Sequence, residues 1–235
     1  MSGLLLVAGV VATPLAGIDH HSLTGHMVQH LVLMTLAAPL ILLGKPEIVW
    51  RRRSLFWLTH RLTLRYGQGR AAAGDRRYDR QAILGWCAGT ACVIWWHVPS
   101  VFEWSMRCGG WHALEQVTFL LAGLLFWRPV IQPWSPTVAR PWSIPVYLFL
   151  ATLPCDALAA FLTFCGRAVY PAYMNGPAGA SAALLDQEVA GSMMWVWVTF
   201  VYLLPAVVIT IQGLSCPRLL SNSSPLTRPW QQSPD

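Results

Sequence analysis

From Val189 to Gln212 the chain runs twenty-four residues without one Asp, Glu, Lys or Arg. At 1.5 Å per residue such a run makes a helix of ~36 Å, longer than the ~30 Å hydrocarbon core of a bilayer. In lipid every backbone N–H and C=O must find its partner inside the protein, which for a single segment means a helix. Comparable stretches near residues 23–43, 82–98, 112–131 and 144–164 repeat the signal, and a shorter one lies near residues 4–18. That first segment lacks the basic residues that precede a signal-peptide core, so it reads as a span. The chain is 55% hydrophobic and 11% charged, against ~25% charged in soluble domains, which removes a soluble globular reading. The expectation is all-α: a polytopic membrane helix bundle of about six transmembrane helices. One integral membrane domain covers residues 1–212, with a basic loop at 45–80. Residues 213–235, rich in Pro and Ser, read as a disordered tail.

The net charge of +6 raises the question of nucleic acid until its location is read. Ten of the 16 Lys and Arg fall between Lys45 and Arg80, while Arg107 and Arg167 alone lie in the opposite set of loops. Basic loops stay on the cytoplasmic side, so both termini are expected to be cytoplasmic. The charge is then a topology signal beside anionic lipid, and no nucleic-acid partner is implied.

This orientation sends six of seven histidines to the outer side. His20 and His21 sit in a turn, and His60 is the exception. His26 and His30 stand one helical turn apart, so both rings share a face. His97 ends the third span, His112 opens the fourth and Asp186 opens the last, followed by Met193. Imidazole, carboxylate and thioether converging at one depth suit a metal, and Met27 and Met34 beside His30 add soft donors fit for Cu(I). The expected ligands are His26, His30, His97, His112, Asp186 and Met193. Gln29, Glu115, Gln116 and Gln187 are placed to orient them. Asp186 also suits a helix cap and Glu115 a helix dipole. Asp156, inside the fifth span, costs roughly 2.5–3.5 kcal/mol when ionised there and so needs a partner or a proton.

The six cysteines form no disulfide framework; Cys108 and Cys165 alone reach the outer side, where a disulfide or metal role is open. There is no His-Glu-x-x-His, P-loop, dinucleotide fingerprint or Gly-x-Ser-x-Gly, so a hydrolase or ATP-driven pump finds no support and no enzyme is expected. Two alternatives stay open on these residues. A haem could take two facing histidines as axial ligands, giving a haem-binding or quinone-linked redox protein. A copper transporter would need a polar path inward, where only Cys87, Thr90 and Cys92 are on offer.

The ordered series His26-Met27-Val28-Gln29-His30-Leu31, Ala38-Pro39-Leu40, Gly44-Lys45-Pro46, Trp96-His97-Val98-Pro99 and His112-Ala113-Leu114-Glu115 resembles the caa-type cytochrome c oxidase assembly factor (CtaG) family. Gly123 to Pro129, Tyr170-Pro171-Ala172-Tyr173 and Leu185-Asp186-Gln187 continue it. The resemblance spans residues 23 to 212. It implies a multi-pass protein of the bacterial inner (plasma) membrane that helps make active haem-copper oxidase. Its partners would be oxidase subunits and a copper chaperone, and its cargo copper. Two positions depart from the family pattern: Gln116, where a second His is frequent, and Ala190-Gly191, where a Gly-Gly pair often stands.

Overall fold

The computed structural model describes residues 2–12, 22–44, 69–131, 142–174 and 179–215, and every element among them is helical. They are α1 (Ser2–Ala12), α2 (Leu23–Leu43), α3 (Gly69–Trp96), α4 (Pro99–Arg107), α5 (Gly109–Ile131), α6 (Ser143–Phe164), α7 (Pro171–Met174) and α8 (Gly179–Ser215). Residues 45–68 of the expected basic loop, the tail from 216 onward, and His20, His21 and His60 lie outside the described residues.

Four helices, α2, α5, α6 and α8, are long and apolar enough to cross a membrane, and the pair α3–α4 adds a fifth if counted as one bent span. The sixth expected crossing corresponds to α1, whose eleven residues reach only ~16 Å. Its expected continuation to residue 18 is outside the described residues. The protein is an all-helical membrane protein, and large apolar side chains such as Phe149, Val196 and Phe200 face outward, as contact with lipid requires.

Two boundaries differ from the hydropathy reading, each for a local reason. Helix α3 begins at Gly69, so Arg70, Arg76, Arg77 and Arg80 belong to a helical extension rather than a loop. Helix α8 begins ten residues before Val189, because the polar groups of Asp186 and Gln187 are satisfied by neighbouring segments and do not end it. The chain bends by 76° between α3 and α4. Pro99 opens α4 at its first position, where a missing N–H costs nothing, and holds Val98 extended at φ −66°, ψ 122°. Tyr170 clamps this bend by donating its hydroxyl to the His97 carbonyl at 3.2 Å. Burial pushes the Tyr170 pKa up, so the hydroxyl stays a donor.

Helix α2 carries a π segment at Leu33–Ala37, one turn past His30. There the Ala38 N–H bonds the Leu33 carbonyl, five residues back. In the same register the Met34 carbonyl would look to residue 39, and Pro39 has no N–H. Trp127 of α5 fills the gap with its indole N–H at 3.1 Å. Trp197 of α8 donates to Thr35 Oγ1 at 2.9 Å, and Thr35 in turn donates to the Leu31 carbonyl. Gly123 lets α5 reach this segment, since a Cβ there would stand 2.7 Å from the Met34 carbonyl oxygen. The bulge is thus held from two sides by tryptophans.

The buried apolar residues form two clusters. A larger one joins α2, α3, α5, α6 and α8, with Met34, Phe119, Phe126, Leu148 and Tyr202 among its members. A smaller one gathers Leu23, Met27, Phe102, Leu162, Tyr170 and Ala190. The histidines lie where the two meet: His26 is edge-on to Phe102 at 4.9 Å, and His30 stacks on Phe119 at 4.3 Å.

Candidate metal centre

The start of α2 fixes where its histidines point. A helix leaves its first N–H groups without internal partners. Here the Leu23 and Thr24 N–H groups are taken by the Asp186 carboxylate, at 2.6 and 3.4 Å, and that of Gly25 by Ser22 Oγ at 2.9 Å. Thr24 Oγ1 adds a bond to Asp186 Oδ1 at 2.6 Å. Asp186 therefore caps a helix, but the helix is α2 and not its own, and its charge also suits the positive end of the α2 dipole. Asp186→Ala removes these acceptors; we expect a loss of about 0.5–2 kcal/mol in thermal melts, with Asp186→Asn recovering part of it.

One turn further along, the His26 and His30 Nε2 atoms approach to 2.8 Å. Two ring nitrogens at that distance are joined either by one shared proton or by a cation that both ligate. Glu115 Oε1 of α5 stands 3.3 Å from the first and 3.2 Å from the second. These three atoms lie on a circle of radius about 1.8 Å, just inside the ~2.0–2.1 Å bonds that a first-row divalent ion makes to nitrogen and oxygen. His112, three residues before Glu115 on α5, brings a third imidazole: its donor atom lies within 4.8 Å of those of His26 and His30. Its ring stacks on that of His26 at 5.5 Å. His26, His30 and Glu115 are 1–4% exposed, so this polarity sits in the interior.

The Glu115 carboxylate is aimed by Ser105 of α4, whose hydroxyl donates to Oε2. A hydrogen-bonded carboxylate facing imidazole nitrogens is the usual support of a metal ligand set. The Gln116 amide donates to Gln29 Oε1 at 3.3 Å beside it, which ties α5 to α2 at the depth of the site.

The remaining expected residues are distributed around this centre. His97, at the α3–α4 bend, is outside the three-histidine group. Its Nδ1 lies 2.7 Å from the Val93 carbonyl oxygen and must carry the proton, because a carbonyl only accepts. Nε2 is then the bare nitrogen, and it is buried without a hydrogen-bond partner among the described residues. Met193 packs against the smaller apolar cluster, Met27 belongs to that cluster and Met34 to the larger one. The Gln187 side chain ties α8 to the α6–α7 connection: its amide donates to the Leu162 and Arg167 carbonyls and its oxygen accepts from the Val169 N–H. Asp156, on α6, keeps its Oδ1 buried without a hydrogen-bond partner among the described residues. Cys108 and Cys165 are both free thiols, and the Gln187 amide reaches the Cys165 sulfur at 3.2 Å.

The comparison with protein families decides what kind of protein holds this centre. The model for the cytochrome c oxidase caa3 assembly factors matches residues 1–215. The chain belongs to that family. No curated protein and no solved structure matches it. As an assembly factor of cytochrome c oxidase, it is expected to act on the oxidase. Sequence reasoning missed Ser105 and Thr24, and gave Tyr170 no role beyond the family resemblance; these are side chains that aim the site residues. Ser105 and Tyr170 carried no periodic signal, because each reaches its partner across a bend or a connection. Thr24, next to the predicted span start, had one: a hydroxyl in the first turn of a helix.

Proposed function

We propose that this assembly factor binds one copper ion through His26, His30 and His112 with Glu115, and hands it to a cytochrome c oxidase subunit. The observation that carries the reading is the convergence of His26, His30 and Glu115 in a buried, desolvated position supplied by two helices. A charge kept in a membrane interior without a structural need is costly and marks function. With the basic residues cytoplasmic, the centre lies near the outer face of the bacterial inner membrane, where a copper chaperone would load it. The role is non-enzymatic, since a ligand set that gives up its ion needs no substrate turnover.

A haem reading has less support. The cavity beside His30 and His97 holds about 20 Å³, room for one water-sized guest and far too little for a macrocycle.

The test is metal analysis of the purified full chain. Loaded with copper(II), it should carry about one ion per chain, and His30→Ala should lose it, while cells making that variant lose oxidase activity. Copper content unchanged in His30→Ala would overturn the ligand assignment.

A further inference from the structure

Beside His30, next to the three-histidine centre, lies a small cavity of about 20 Å³. It meets the minimum for a single small guest, ~10–15 Å³, and several sulfur-bearing residues stand in its lining. Met27, Met34, Met194, Cys155, His30 and His97 line it, beside Thr35 and Tyr202. The sulfur-bearing residues come from α2, α6 and α8, so three helices bring them to the lining of one void.

His97 decides what the void is for. Its Nδ1–H is committed to the Val93 carbonyl, so Nε2 presents a lone pair with no hydrogen-bond partner among the described residues. A histidine that donates one ring N–H to a backbone carbonyl and leaves the other nitrogen bare is arranged as a metal ligand is. An unpaired acceptor in the interior is otherwise destabilising.

We propose that this cavity is a second metal site, which takes a soft monovalent cation, Cu(I), through His97 Nε2 and the thioethers of Met27, Met34 and Met194. Thioether and imidazole donors are neutral, and soft sulfur selects Cu(I) over harder divalent ions. The centre beside it, with its carboxylate, suits a divalent ion. His30 lines both, so the bundle holds two adjoining compartments of different hardness.

Silver(I) serves as a redox-inert probe of the soft site, and zinc(II) of the carboxylate centre. The full chain in detergent should bind about one silver ion, with sulfur neighbours in its X-ray absorption spectrum. The Met34→Leu/Met194→Leu double variant, which keeps side-chain volume, should bind silver at least tenfold more weakly and zinc as before. His97→Ala should do the same, and unchanged melting of the Met-to-Leu variant would separate ligand loss from misfolding. Glu115→Gln should weaken zinc and leave silver, so failure of the carboxylate centre and failure of the soft site read out separately. Silver binding equal to wild type in the Met-to-Leu variant, or no silver bound by wild type at all, would overturn the proposal and leave the cavity to a water.

Discussion

Glu115→Gln is expected to weaken divalent-ion binding by roughly 10–100-fold while leaving the fold in place. The substitution keeps the shape of the side chain, so Ser105 still meets an oxygen and the packing around it is undisturbed. What disappears is the negative charge 3.2 and 3.3 Å from the two Nε2 atoms. In a desolvated site that charge offsets the cation, and three neutral imidazoles alone do not. The amide also offers an N–H₂ where the ion would sit, which turns a ligand into a competitor for the histidine lone pairs. Competition against a chromophoric chelator, with the full chain in detergent, measures the change directly. Glu115→Ala is the poorer experiment, because it leaves Ser105 and both histidines facing a void and costs stability as well. If the Gln variant bound zinc and copper(II) as wild type does, Glu115 would be an orienting acceptor for the histidines and nothing more.

The parts of this molecule that could be read from the sequence are those governed by one helix at a time. Apolar runs located α2, α5 and α6 within a few residues, and the spacing of His26 and His30 put both rings on one face. The inward turn of that face, and the meeting of His112 and Glu115 with it, depend on how α5 packs on α2. Packing is set by residues that look unremarkable in a hydropathy profile. Gly123 and Gly191 are examples: a Cβ at Gly191 would stand 2.6 Å from Thr163 Oγ1, so this glycine sets the approach of α8 to α6. Asp186 shows the opposite limit. Its chemistry suggested a ligand or the cap of its own helix, and it engages the first turn of a helix 163 positions away in sequence. The π segment was hidden for a third reason. A proline at position 39 leaves an upstream carbonyl without its helical partner, and the sequence does not say whether water, a kink or a tryptophan from another helix meets it.

The largest effect on stability is expected at Gly123. A Cβ at this position would lie 2.7 Å from the Met34 carbonyl oxygen, 2.9 Å from the Ala38 Cβ and 3.0 Å from the Met34 Cα. None of these is the tip of a flexible side chain, so no rotamer change relieves the contact, and α5 must withdraw from α2 as a body. Withdrawal stretches the 3.1 Å bond from Trp127 to Met34 and leaves that carbonyl, already deprived of a partner by Pro39, unsatisfied in an apolar interior. Gly123→Ala should therefore cost on the order of 3 kcal/mol, overpacking and the lost bond together. Gly109→Ala on the same helix is the control: nothing stands within 4 Å of its added Cβ, and the better helix propensity of Ala should leave melting unchanged or slightly higher. The same withdrawal carries His112 and Glu115 away from His26 and His30, because all four are fixed to the two helices being forced apart. Gly123→Ala should then lose metal as well as stability, though it touches no ligand. Thermal melts of both variants in detergent, with and without zinc, decide the matter: wild type should gain stability from the ion and Gly123→Ala should gain little. Equal melting of the two glycine variants would mean that the bulge does not fix the spacing of the site, and that the histidines are held by the Asp186 cap alone.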